Sequence, residues 1–305
     1  MQSGDGARGT GKPQGEWRRL NQTCYTQLPP LRRLVGAVRG LFRLLRFMRT
    51  FLAAAIVSLG ARVLLPRAAW ERMSPALRRV QGRQVARACG VRMKRIGAPD
   101  TSAGLLISNH LSWLDSFVLM GECGARFVAS STFAGIPVIS PMLRAAGVVF
   151  VNKTRLADTR RVGGAVQRIV ARGQQAFVFP EADTSRGAAV RPFRAALLEP
   201  IVQAGAAVHW MSLRYQTPPG WPPASVVVSW ADWTPLLLHM YRALYPPYLL
   251  AEVRHGDQAV YGTDRKALAA ALHNAVSQAF IPLPQLPAPD LARISVPPPR
   301  PQPRF

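Results

Sequence analysis

Leu105-Leu-Ile-Ser-Asn-His-Leu-Ser-Trp-Leu-Asp-Ser-Phe117 holds two periods in thirteen residues. Leu105–Ile107 is a short apolar run, the pattern of a strand buried on both faces. A helix is expected to start near Ser112, a good N-cap, placing Asp115 in its first turn. Strand, polar loop and helix in this order describe one unit of an α/β sheet, and in such sheets the loop after a strand is the usual place for a site. His110 and Asp115 are five residues apart. On one continuous helix they would point about 140° apart. With the histidine in the loop and the acid in the first turn they can meet, giving an imidazole steadied by a carboxylate, the arrangement of a general base and its orienter. The plain alternative is a histidine in a turn beside an acid favoured by the helix dipole.

The same alternation extends outward. Strands are expected at 103–108, 125–130, 147–151, 175–179, 206–213, 224–230 and 249–255, and helices at 112–121, 136–146, 156–172, 193–204, 234–245 and 263–279. This pattern predicts an α/β fold, a mixed and largely parallel sheet flanked by helices, over residues 67–280. Residues 1–30 read as a disordered tail, and the Pro-rich segment 281–305 as a second one. Gly6 to Lys12 fits the start of a phosphate-binding loop, but Pro13 replaces the hydroxyl residue and no strand precedes it.

Residues 31–66 differ from both. Arg32, Arg39, Arg43 and Arg46 share one side of a helical wheel, and Leu34, Val38, Leu41, Leu45, Met48 and Leu52 share another. The apolar run after Thr50 is shorter than the about 20 residues of a transmembrane span. The expected structure is a monotopic anchor with an amphipathic helix and a more deeply dipping segment, its arginines meeting anionic lipid. A core-packed helical hairpin with a solvated basic face is the alternative.

The 305 residues carry 39 Lys+Arg against 15 Asp+Glu, a formal charge of +24. That balance excludes an acidic or neutral surface and points to polyanions, nucleic acid or anionic lipid. The densest basic stretch is interleaved with Leu, Val and Phe at helical spacing, which favours a lipid surface, and no nucleic-acid partner is expected. Cys24, Cys89 and Cys123 are few and scattered, with no zinc-ligand spacing, so they read as reduced thiols with no metal site. No signal peptide is expected. His209 sits in an apolar strand and reads as a core residue.

Two more segments complete the pattern. Gly147-Val-Val-Phe-Val-Asn-Lys153 is a strand ending in a cation, and Phe177-Val-Phe-Pro-Glu-Ala-Asp-Thr-Ser185 is a strand breaking into an acid and hydroxyls. With Asn109-His-Leu-Ser-Trp-Leu-Asp115, their order and spacing resemble the three motifs of the glycerolipid acyltransferases of the 1-acylglycerol-3-phosphate type. Arg191-Pro-Phe-Arg194 and the residues after it are similar to the lyso-ornithine-lipid branch. Lys153 stands where the family has Arg, Ala182 and Asp183 replace a Gly and a Thr, and Ser130 and Val208-His209-Trp210 depart from further positions.

The resemblance covers about residues 90–280. It implies direct acyl transfer from acyl-CoA or acyl carrier protein to the hydroxyl of a lyso-lipid, lysophosphatidate or lyso-ornithine lipid, without an acyl-enzyme, metal or redox cofactor. By it, His110 is the general base and Asp115 its orienter. Asn109, Glu181, Thr184 and Ser185 position the acceptor, and Lys153 and Arg194 bind its anionic group. It further implies membrane lipids as partners and a place on the cytoplasmic face of the membrane. A catalytically impaired lyso-lipid binder and a basic nucleic-acid-binding protein are the competing functions.

Overall fold

The computed structural model describes residues 23–130, 135, 140, 143–144, 148–151, 164–231 and 234–286. Lys153, the glycine-rich segment at Gly6 to Lys12 and the helix expected at 136–146 lie largely or wholly outside these residues.

Two helices, α1 (Pro30–Leu64) and α2 (Arg67–Ala88), precede β1 (Val91–Ile96) and β2 (Gly104–Ser108). Then come α3 (Leu114–Cys123), β3 (Arg126–Ser130), β4 (Val149–Val151), β5 (Gln175–Val178), β6 (Val208–Gln216) and β7 (Leu249–His255). A capped helix, Arg265–Ala279, follows. The strands form one sheet in the order β1-β7-β6-β2-β5-β3-β4. Only β6 and β7 run antiparallel; the other neighbours are parallel. The expected mixed, largely parallel sheet is therefore the fold.

β2 lies in the interior of the sheet, and its alternate side chains feed two separate cores. Leu106 joins the core under α1–α3, while Leu105 and Ile107 join the one under the Arg265–Ala279 helix. Burial on both faces is why this strand reads as an unbroken apolar run. α3 is held against α2 by close backbone approach: a Cβ on Gly82 would stand 2.3 Å from the Gly121 nitrogen. This contact fixes the helix that carries Asp115.

Four expectations need correction. β1 was not anticipated, because its Arg-Met-Lys-Arg stretch lies on the sheet edge, where charge is tolerated and the period is blurred. The strand expected at 224–230 is instead a buried helical turn, Ala224–Val227, set by Val226 and Val227 N–H groups closing on the Pro223 carbonyl. Both supposed tails begin inside the fold. Tyr25 and Leu28 are buried, and Leu283 is buried with its N–H bonded to the Gly187 carbonyl at 2.8 Å.

The fourth correction concerns residues 31–66. Up to Leu64 they belong to one continuous helix, Pro30–Leu64, of 35 residues and roughly 52 Å. Three of its arginines bond to the domain, while Arg46 and Arg49 are exposed. Arg32 donates to the Gly220 carbonyl, Arg39 to Tyr245, and Arg43 to the carbonyls of Leu244, Pro246 and Pro247. Phe47, Phe51, Ala55 and Ser58 are buried against the domain. The opposite face, with Leu34, Val38, Leu41, Leu45, Leu52, Ile56 and Leu59, stands exposed along the whole helix.

Candidate active site

The chain leaves β2 at its C-terminal end, and Asn109 pins that exit. Its Nδ2 donates to the Leu213 carbonyl and its Oδ1 accepts from the Leu213 N–H, both at 2.8 Å, across the β2–β6 pair. Both ends of this buried amide are thus engaged with the backbone of β6. Asn109, expected to contact substrate, is thus engaged as a strut between β2 and β6.

His110 and Asp115 meet. Nδ1 of His110 lies 2.8 Å from Oδ2 of Asp115. The same oxygen accepts the backbone N–H groups of Leu111 at 2.6 Å and Ser112 at 2.8 Å, so the acid also closes the turn before its own helix. The helix begins at Leu114 with Trp113 as its N-cap, one residue beyond the cap expected at Ser112, and Ser112 contributes its backbone rather than a strong side-chain cap. Oδ1 of Asp115 accepts the Tyr215 hydroxyl at 3.0 Å. Burial, together with the adjacent carboxylate, raises the Tyr215 phenol well above its ordinary range, so it serves as a neutral donor.

A carboxylate can only accept, so Nδ1 must carry the proton and the lone pair of the neutral ring falls on Nε2. Nε2 has no hydrogen-bond partner among the described residues. The Asp115 side chain is 0% exposed and that of His110 18%. The ring is stacked on Phe179 at 3.8 Å between centroids, which holds its plane. The result is a fixed imidazole with one edge tied to buried charge and the other available to a proton donor.

The loop after β5 locks the same turn. Oε1 of Glu181 accepts the His110 N–H at 2.9 Å, and Oε2 accepts the Arg191 N–H at 3.2 Å. Burial pushes this carboxyl up to about 7, against the pull of those two hydrogen bonds. The Ser185 N–H bonds the His110 carbonyl at 2.9 Å. Thr184 donates its hydroxyl to the Trp230 carbonyl. Glu181 and Ser185 thus contact the His110 backbone, and Thr184 lies on the same loop; the polar groups of these residues, expected to position an acceptor, hold backbone. Ala182 has φ 66°, the left-handed region that glycine adopts freely. The exposed Arg194 guanidinium lies 3.5 Å from the Asp183 carboxylate.

Sequence reasoning missed Phe179 and Tyr215. Phe179 sits at the end of an expected strand beside Pro180, a usable signal, whereas Tyr215 lies just beyond the strand boundary expected at residue 213. The remaining histidines have other partners: His209 bonds Asp100 and Ser102, and His255 bonds Glu122.

A family profile described as Acyltransferase matches residues 79–214. A 1-acyl-sn-glycerol-3-phosphate acyltransferase of Neisseria gonorrhoeae is 39% identical over 119 residues, 39% of this chain and 47% of that protein. The chain thus spans about half the length of this relative. A lyso-ornithine lipid O-acyltransferase of Brucella abortus is 30% identical over 215 residues, covering 64% of this chain and 78% of the relative. In three dimensions the chain is similar to the 1-acyl-sn-glycerophosphate acyltransferase PlsC of Thermotoga maritima. The TM-score is 0.57 at 17% identity, over 80% of this chain and 97% of the other.

Proposed function

This chain belongs to the glycerolipid acyltransferase family, and from that premise we propose that it moves a fatty acyl group from acyl-CoA or acyl carrier protein to the hydroxyl of a lyso-lipid at the cytoplasmic face of a membrane. The observation that carries the reading is the His110–Asp115 contact at 2.8 Å, with the acid sealed and the ring accessible. Nε2 of His110 takes the proton of the acceptor hydroxyl as its oxygen attacks the thioester carbonyl. Asp115 stabilises the imidazolium that forms, and collapse of the adduct expels the thiolate, which recovers the proton. The chemistry needs no metal or redox cofactor.

The exposed apolar face of α1 supports membrane association. α1 is packed along the domain from Gly36 to Ser58, which supports a helix lying in the interface plane rather than one crossing the bilayer. The arginines bonded to backbone carbonyls on the inner face argue against the nucleic-acid alternative. On the segment after β5, which also carries Glu181, the exposed Asp183 and Arg194 present one charge of each sign. That pair suits a headgroup with an ammonium and a carboxylate, such as ornithine, better than a phosphate dianion.

The test is an acceptor panel of lysophosphatidate and lyso-ornithine lipid with an acyl-CoA and an acyl carrier protein donor, on wild type and His110→Ala. Wild type is expected to acylate the ornithine acceptor faster, and the variant to lose about 10²–10⁴-fold in rate. Equal rates in the two proteins refute the role of His110.

A further inference from the structure

A cleft of about 460 Å³ opens at the opposite end of the sheet from His110. Among the described residues five arginines line it, Arg62, Arg67, Arg78, Arg126 and Arg172, with Glu71 as the one carboxylate. Register places Arg126 beside Ala176, level with Leu105 at the start of β2. At about 3.3 Å per residue, His110 lies roughly 15 Å further along. The two sites are therefore separate.

Among the described residues the charge in this cleft is not balanced internally. Glu71 is shared between Arg67 at 3.1 Å and Arg172 at 3.6 Å. Arg78 donates to the Gly124 carbonyl and the Gln174 amide oxygen, and Arg126 to that same oxygen. These acceptors are neutral: they satisfy hydrogen bonds without cancelling charge. Burial, and then mutual repulsion, lowers the Arg78 guanidinium to about 9 and draws Arg126 down as well. Arg62, in the last turn of α1, has no hydrogen bond or ion pair among the described residues. An anion with several oxygens would relieve all of these groups, and the guanidinium fork matches phosphate geometry.

Position identifies the source of the anion. Val63 and Leu64, beside Arg62, are 74% and 82% exposed and end the apolar face of α1, and Trp70 lines the cleft. The cleft therefore opens where the surface of the bilayer would lie. We propose that it is a second, non-catalytic site for the phosphate of an anionic phospholipid in the membrane, a proposal that rests on the membrane reading of α1 above.

The test is flotation with phosphatidylcholine vesicles, alone or with a minor fraction of phosphatidylglycerol. It compares wild type, Arg62→Gln/Arg172→Gln, a charge-matched control Arg265→Gln/Lys266→Gln, and Leu45→Asp/Leu52→Asp on the apolar face. Thermal melts verify folding, and inorganic phosphate is titrated into wild type in parallel. Wild type and the control should gain about tenfold in binding from the anionic lipid. The cleft variant should keep its binding to pure phosphatidylcholine and lose that gain, and the apolar-face variant should lose both. A gain retained in the cleft variant, or lost equally in the control, overturns the cleft proposal and leaves the membrane reading standing. Wild type that binds neither vesicle overturns the membrane reading and a lipid occupant together. Saturable binding of inorganic phosphate without a vesicle preference makes a free anion the occupant and overturns the lipid assignment.

Discussion

The Tyr215 hydroxyl donates to Oδ1 of Asp115 at 3.0 Å, joining β6 to the first turn of α3 across a hundred residues of sequence. Removing it in Tyr215→Phe leaves a buried carboxylate oxygen short of its donor, at a cost of about 1–3 kcal/mol. The melting temperature should fall, and activity should drop by less than in His110→Ala, because the contact to Nδ1 remains.

Asp115→Asn separates charge from shape. An asparagine oxygen in the place of Oδ2 still accepts from His110, Leu111 and Ser112, and its amide can donate to Tyr215, whose hydroxyl is able to accept. The fold should survive with a loss of about 1–2 kcal/mol. The rate should nonetheless fall by about 10²-fold or more, since nothing then offsets the imidazolium. Denaturation curves beside steady-state kinetics check both halves; a near-normal rate would remove Asp115 from the mechanism.

Asn109→Ala deletes two hydrogen bonds to the Leu213 backbone and leaves a buried N–H and carbonyl unpaired. Stability should fall by about 2–4 kcal/mol. KM for the acceptor should hold steady in whatever fraction stays folded. A raised KM with unchanged stability would restore the substrate role expected from the motif.

Ala182 at φ 66° occupies a conformation that costs an L-residue about 1 kcal/mol. Ala182→Gly relieves this but adds backbone entropy to the unfolded chain, of similar size. Stability should therefore move by less than about 1 kcal/mol and activity should stay near wild type. A β-branched replacement, Ala182→Val, should cost about 2 kcal/mol or more. Large activation by Ala182→Gly would instead mark the natural loop as impaired.

Glu181 supplies a pH signature. Its folded carboxyl titrates at about 7, above its ordinary value of 4.5, because it is buried. Between those values the native state holds a proton that the unfolded state has released, so this group makes stability decline as pH rises from about 4.5 to 7, with the loss complete above. Glu181→Gln should flatten that slope in melts across the window. It should also lower stability at acid pH, since an amide cannot accept from both His110 and Arg191 without turning N–H toward N–H.

Much of this protein was legible before folding because the signals were local. β2 is sealed on both faces and so must be apolar, and the five-residue step from His110 to Asp115 spans a loop and a first turn that bring them together. Other features depended on distant backbone. The Asn109 amide pairs with a peptide group of β6, and peptide groups have no letter in a sequence.

The amino-acid order alone pointed to the α/β class, the meeting of His110 with Asp115 and the two-faced character of residues 31–66. Tertiary structure decided which face of α1 turns inward, since the carbonyls of residues 244–247 capture Arg39 and Arg43 and leave the leucines outside. It also decided that Tyr215 and Phe179 hold the pair in place, and that five arginines from separate segments share one cleft. Periodicity records what neighbouring residues do together. Only folding sets the distances between groups far apart along the chain, and hydrogen bonds and charge interactions act through those distances.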